Sequence, residues 1–227
     1  TTHKSEYNLE MPPIDAILAV VLAGFALSAT RGPSMLYVLS RSVGQSRTAG
    51  LASALGLALG GIILAVATAL SLAAIFAKFP WLVVALRYVG SAYLIWLGIG
   101  MIRKARANSH TTFAVDNVIR KSFGTVIWQG ILVEVLNPKT VLFFALFLPP
   151  FVNMNGGLLS AGDIQFQLLA LGVLIPLTAI PSDVLIAYMG GSMTLAINQS
   201  QAFREYLAWA GGFILIGIAL NLHIGIL

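Results

Sequence analysis

Four ionisable residues lie well inside otherwise apolar stretches of the sequence: Arg31, Glu134, Lys139 and Asp183. An unpaired charge that faces lipid costs at least roughly 2.5 kcal/mol, so each of these side chains should face the protein interior and have a partner. The two cations and two anions can neutralise one another, and a pair of Arg31 with Asp183 is compatible with their depths. Such a cluster can bind a charged ligand or carry a proton. A static structural ion pair is the alternative.

Two short polar interruptions each fall near the middle of an apolar stretch, at Thr30–Ser34 and at Leu136–Thr140. Proline removes a backbone donor and clashes with the preceding turn, so each stretch should kink or break there. The residues before the prolines, Gly32 and Asn137, are suitable N-caps, and each proline suits the first helical position. The sequence therefore predicts two half-helices that begin inside the membrane.

A half-helix N-terminus carries unpaired N–H groups and a partial positive charge, and it can hold a carboxylate at low dielectric. Matched interruptions in two halves of a chain are a sequence pointer to a transporter's binding site, although each proline taken alone can simply kink its helix. The predicted substrate-binding residues are Arg31, Gly32, Pro33, Ser34, Asn137, Pro138 and Lys139. Glu134 and Asp183 are the candidates for binding an ammonium group or carrying a proton.

The elements that must position these residues are membrane helices. Of the 227 residues, 58% are hydrophobic and 9% charged, whereas a soluble domain carries roughly a quarter charged residues. Six apolar stretches are long enough to cross a bilayer, which takes roughly 20 residues. They are Ile14–Ser40, Ala49–Phe76, Trp81–Ile102, Ser122–Val152, Gln167–Gly190 and Arg204–Leu222. We therefore predict an all-α integral membrane protein, with the first and fourth helices broken.

The long connection at 103–121 divides the chain into two halves of three spans each. Since three is odd, two related halves must cross in opposite senses, as in the inverted repeats of secondary transporters. We predict one membrane domain over 11–227, with repeat one at about 11–102 and repeat two at about 122–227. Residues 1–10 are polar, and we expect them to be either a native tail or an expression remnant.

The charges of the short connections predict the orientation. Connections one, three and five hold eight Lys and Arg residues, Arg41 among them, whereas connections two and four hold only Lys78. Positive residues are retained on the cytoplasmic side, so both termini should be periplasmic. The 13 Lys and Arg residues are scattered along the chain, and we expect no nucleic-acid partner.

Several segments of both halves carry a family resemblance: Thr30–Ser42, Arg47–Leu51, Ala54–Gly56, Leu136–Thr140, Phe143–Phe144 and Leu148–Val152. They resemble the signature sequences of the LysE-type (lysine exporter, RhtB-like) amino-acid exporters. The resemblance implies a small bacterial inner-membrane exporter of amino acids or their derivatives, driven by the proton gradient. Two departures stand out, because the family usually has proline at position 31 and often has aspartate at position 61, where this chain has Arg31 and Gly61. The coupling role of that aspartate would then pass to Glu134 or Asp183.

The leading hypothesis is a secondary active exporter of a small amino acid, working by proton-coupled alternating access. The alternative is a metal-ion exporter of the same fold, although two acids beside two bases suit neither hard nor soft cations. An enzyme is not expected, because the chain has no cysteine and no histidine inside a span. No cofactor or metal is expected. The expected partners are the amino acid, protons and membrane lipid, and a homodimer is left open.

Overall fold

The computed structural model describes residues 11–28, 32–79, 81–107, 119–153, 160–199 and 201–224. These residues form α-helices and one 3₁₀ turn, with no strand among them. The helices are α1 (Ile14–Ser28), α2 (Pro33–Gly44), α3 (Arg47–Lys78), α4 (Trp81–Ala107), α5 (Phe123–Val135), α6 (Pro138–Phe147), α7 (Ala161–Gln199) and α8 (Gln201–Ile224). The 3₁₀ turn covers Pro149–Phe151 and follows α6. The predicted all-α fold is confirmed.

Three helices, α3, α4 and α7, are long and apolar enough to cross a membrane. The pairs α1–α2 and α5–α6 each pass the same test jointly, and their axes are bent by 54° and 52°. Among the described residues, these helices amount to three candidate spans, or five if each bent pair is one span. In α8 the described apolar stretch is Ala208–His223. The chain is therefore a multi-pass membrane protein, and the division into six spans and two inverted repeats stays a prediction.

Both predicted helix breaks lie where the prolines indicate. Helix α2 begins at Pro33, after the N-cap Gly32 with extended backbone (φ −156°, ψ 177°). Helix α6 begins at Pro138, after the N-cap Asn137, whose backbone is also extended (φ −74°, ψ 108°). In both cases the proline occupies a position whose N–H would have no partner within the helix. The two predicted N-caps are thus confirmed.

The prolines of α7 act differently, because Pro176 and Pro181 both lie inside one helix. Each removes one backbone donor from the helix interior. The helical N–H donors so removed would have bonded the carbonyls of Gly172 and Leu177, four residues before each proline. The hydroxyl of Thr178 bonds a different carbonyl, that of Ile175 (2.8 Å).

Small residues of α3 allow α5 to approach closely. A methyl group on Gly56 would overlap the carbonyl oxygen of Ile127, and one on Gly60 would lie 2.7 Å from Cβ of Glu134. Close approach at small residues is the usual packing of membrane helices. Ala52, Gly56 and Gly60 recur every four residues on one face of α3, and this surface brings the last turn of α5 against the middle of α3.

Helix α6 is held in the centre of the protein by its phenylalanines. Phe143, Phe144 and Phe147 are each at most 1% exposed and belong to the main apolar core. The rings of Phe143 and Phe147 stack at 4.3 Å between centroids. Since α6 is only ten residues long, burial of these rings also fixes the position of its N-terminus.

Candidate functional site

A cavity of about 70 Å³ lies where the two breaks meet. It is lined by the end of α1, the start of α2, the middle of α3, the α5–α6 break and the middle of α7. Six of the nine predicted site residues line this cavity: Gly32, Ser34, Glu134, Asn137, Lys139 and Asp183. Pro33 and Pro138 are exposed and do not line it. Arg31 lies outside the described residues, and so does its predicted pair with Asp183.

Three of these side chains form a continuous hydrogen-bond chain. The amide of Asn137 donates to Oγ of Ser34 (3.1 Å), and Oγ of Ser34 donates in turn to Oε2 of Glu134 (2.5 Å). Because the serine hydroxyl receives one hydrogen bond and gives the other, Glu134 acts as the acceptor at the end of the chain. The chain joins the first turn of α2 to both sides of the α5–α6 break.

Lys139 connects α6 to α1. Its Nζ donates to the carbonyl of Leu27 (3.0 Å), which belongs to the last turn of α1. The last carbonyls of a helix have no partner within the helix and carry a partial negative charge, so a lysine is favourable there. The backbone carbonyl of Lys139 accepts from the hydroxyl of Tyr93 (3.2 Å), which fixes the first turn of α6 to α4.

The two half-helix N-termini differ in their capping, although the sequence predicted the same role for both. At α6, Oδ1 of Asn137 accepts from the backbone N–H of Lys139 (3.1 Å), so that helix carries its own cap. At α2, Gly32 has no side chain and gives no such cap to the amides of Ser34 and Met35. Of the two, the α2 terminus is better suited to receive a carboxylate from a ligand.

Glu134 and Asp183 approach the cavity from different helices. Glu134 belongs to the last turn of α5, and Asp183 lies in the half of α7 that follows Pro176. Both side chains are half-buried and line the same cavity as Lys139. The cavity therefore has a carboxylate on each of two helices and an ammonium group between α6 and α1.

The family resemblance leads us to expect aspartate at position 61, where this chain has Gly61. A methyl group built on Gly61 would lie 2.7 Å from Cβ of Pro176. A carboxylate at this position would require α3 and α7 to separate, because a proline ring cannot move independently of its backbone. Pro176 thus occupies the space that a side chain at position 61 would need. The carboxylates that line the cavity are those of Glu134 and Asp183.

A second polar cluster around Arg41 was missed at the sequence level. We predicted that Arg41 lies in a connection, but it belongs to the last turn of α2 and is only 8% exposed. Its guanidinium donates to Oε1 of Gln129 (3.0 Å) and to the carbonyl of Ile119 (3.1 Å), and it lies 5.6 Å from the ring centre of Tyr37. The available signal was the spacing of Tyr37, Arg41 and Gln45, which places them on one helix face.

The chain matches the family model described as LysE type translocator over residues 25–224. It is 34% identical to the uncharacterized membrane protein PA4757 of Pseudomonas aeruginosa over 54% of this chain and 57% of that protein. It is 31% identical to the uncharacterized membrane protein slr1627 of Synechocystis over 88% of this chain and 95% of that protein. It is 23% identical to the leucine efflux protein of Enterobacter over 89% and 92% of the two chains. No solved structure gives a significant match.

Proposed function

The chain belongs to the LysE-type translocator family, and on that basis we propose that it exports a small amino acid or amino-acid derivative across the bacterial inner membrane. Similarity to proteins named for leucine efflux supports the substrate class. We further propose six spans in two inverted repeats, with both termini periplasmic, since the two broken helices each open one half of the chain. Transport would be secondary active and coupled to protons.

The substrate's carboxylate would bind at the α2 terminus. The amides of Ser34 and Met35 have no cap from Gly32, and all three residues line the cavity. A helix N-terminus supplies both hydrogen-bond donors and a partial positive charge to a carboxylate. Lys139, across the cavity, would add a full positive charge to the same site. The prediction that both half-helices hold the carboxylate is thereby refined, with Asn137 as a positioning residue.

The substrate's ammonium group would bind to Glu134 or Asp183. An α-ammonium needs an acceptor a few ångströms from the site of its carboxylate, and these two carboxylates are the acidic groups that line the cavity. Whichever of the two does not bind the ammonium is the candidate for the coupling proton. This division of roles follows the sequence hypothesis and keeps both assignments open.

The observation that carries the proposal is the hydrogen-bond chain from Asn137 through Ser34 to Glu134. Ser34 belongs to the proposed first repeat, and Asn137 and Glu134 belong to the second. Alternating access requires the two repeats to move against each other around a central site. A bound ammonium group would compete with Ser34 for Glu134, and substrate binding would then loosen the contact between the repeats.

The metal-ion alternative is less favoured. Within the part of the chain that the structure describes, no group of three or more His, Cys, Asp or Glu side chains could hold a metal ion. The cavity's two carboxylates share it with the ammonium group of Lys139, which opposes binding of a divalent cation. An uptake assay with divalent metals distinguishes the two substrates.

The test is transport by purified protein in proteoliposomes, with and without a pH gradient. The informative variants are Glu134→Gln and Asp183→Asn, and Asp163→Asn is the matched control, since Asp163 lies at the start of α7 and accepts from Ser160 (2.6 Å) away from the cavity. We expect the coupling variant to exchange amino acids without responding to the gradient, and the other to lose binding. Normal gradient-driven transport by both variants would refute the assigned roles.

A further inference from the structure

A second cavity of about 40 Å³ adjoins the first. The two share the end of α1, two residues of α7 and Glu134, which stands at their junction. The remaining lining residues of the smaller cavity have no polar side chain: Gly24, Gly61, Phe144 and Ile175. A polar cavity is thus continuous with an apolar one, and a carboxylate lies between them.

The two volumes match the two parts of a small amino acid. A water-sized group needs roughly 10–15 Å³ measured in this way. The larger cavity, at about 70 Å³, therefore has room for about five to seven such groups, enough for an α-carboxylate, α-carbon and α-amino group. The smaller cavity, at about 40 Å³, has room for about three or four, enough for an isopropyl or isobutyl group.

We propose that the smaller cavity is the side-chain subsite of the exported amino acid, and that it selects an apolar side chain of about three or four carbons, as in valine and leucine. This inference rests on the proposed function, and of its two candidate acids it takes Glu134 as the one that binds the α-ammonium group. The α-ammonium bound at Glu134 would direct the side chain away from the α2 terminus and into the apolar cavity. Glu134 is the one ionisable residue lining this cavity among the described residues. With its carboxylate bound to the α-ammonium group, a lysine or arginine side chain would have no second carboxylate there to pair with.

The walls of the subsite differ in how they can be changed. At Gly61 an added methyl group would lie 2.7 Å from Cβ of Pro176, and at Gly24 it would overlap the hydroxyl of Thr178. Enlarging Gly61 would therefore displace α7 at Pro176, and enlarging Gly24 would displace the side chain of Thr178. Ile175, 4% exposed, is a large side chain that also lines this cavity and can be shortened in place. Its size sets how far a substrate side chain can extend.

The experiment measures counterflow of labelled valine, leucine and phenylalanine in proteoliposomes. Ile175→Ala enlarges the subsite. Ile175→Val enlarges it less, and its selectivity is measured in the same way if the alanine variant folds poorly. Ile164→Ala is the control, since Ile164 is also buried in the same helix and lines neither cavity. One methylene in an apolar pocket changes selectivity by roughly 10-fold or more. We expect Ile175→Ala to raise the phenylalanine-to-valine ratio of kcat/KM by about 10-fold, and Ile164→Ala to leave it unchanged.

The failures of the two proposals are distinguishable. If the wild-type protein carries no amino acid, the proposed function is refuted, and the subsite with it. If the wild-type protein carries valine and leucine but the selectivity of Ile175→Ala and Ile175→Val equals that of Ile164→Ala, the subsite is refuted and the proposed function stands. Transport of lysine as fast as leucine by the wild-type protein would also refute the apolar subsite alone.

Discussion

Replacing Asn137 by alanine removes two hydrogen bonds at once. Its Oδ1 accepts from the backbone N–H of Lys139, and its Nδ2 donates to Ser34. Loss of an N-cap costs about 1 kcal/mol, and loss of an ordinary side-chain hydrogen bond costs about 1 kcal/mol more. Asn137→Ala should therefore lower the free energy of unfolding by about 2 kcal/mol, a factor of about 30 in the equilibrium constant.

Two further variants distinguish the contributions of the capping bond and of the bond to Ser34. Asn137→Ser keeps a capping oxygen but is too short to reach Ser34, so it should lose only about 1 kcal/mol. Ser46→Ala removes a different N-cap, the one that accepts from the amide of Ala49 at the start of α3 (3.1 Å). That loss should also be about 1 kcal/mol. Since Ser46 does not line the cavity, this variant should leave transport unchanged.

The assay is reversible denaturant unfolding in detergent, followed by amino-acid counterflow for the same preparations. Both Asn137 variants should weaken transport, because the hydrogen bond between the two broken helices is lost in each. The larger loss of stability is expected for Asn137→Ala alone. The reasoning would be refuted if Asn137→Ala and Ser46→Ala lost equal stability and both transported at the wild-type rate.

Lys139→Met should weaken substrate binding about 10-fold or more, because it removes a charge-assisted donor from the carbonyl of Leu27 and a cation from the cavity. A radioligand assay that gives the wild-type affinity for this variant would contradict the prediction. Gly56→Ala should cost about 1–3 kcal/mol by overpacking α3 against α5, whereas Gly100→Ala, which meets nothing within 4 Å, should not destabilise the protein. Equal thermal unfolding midpoints for the two variants would exclude close packing of α3 against α5 at Gly56. Arg41→Lys should lower the thermal unfolding midpoint, since an ammonium group cannot reproduce the planar guanidinium that donates to both Gln129 and Ile119. An unchanged midpoint would show that the Arg41 cluster contributes nothing to stability.

The helix breaks were predictable from sequence because their causes are local. A proline preceded by Gly32 or Asn137 determines where a helix can begin, whatever lies around it. The apolar stretches likewise predicted the all-α membrane fold. The sixth stretch, Arg204–Leu222, falls on α8, of which the described apolar part is Ala208–His223.

The contacts between the halves were not predictable, because their causes are tertiary. Ser34 and Asn137 are 103 positions apart, and no spacing rule indicates that their side chains bond. The burial of Arg41 depends on Gln129 in α5 and on Ile119 in the segment before α5, so charge counting placed it in a connection. The difference between the two N-termini also became visible only with the capping geometry of Asn137.

The central claim is that the α2 terminus holds the substrate's carboxylate while a cavity acid holds its ammonium group. The most direct measurement is competition against bound radiolabelled leucine in nanodiscs, using leucine, leucinamide and N-acetylleucine as competitors. The account predicts that each blocked analogue competes at least about 10-fold more weakly than leucine, since each lacks one charged hydrogen-bonding group. Leucinamide competing as well as leucine would contradict it.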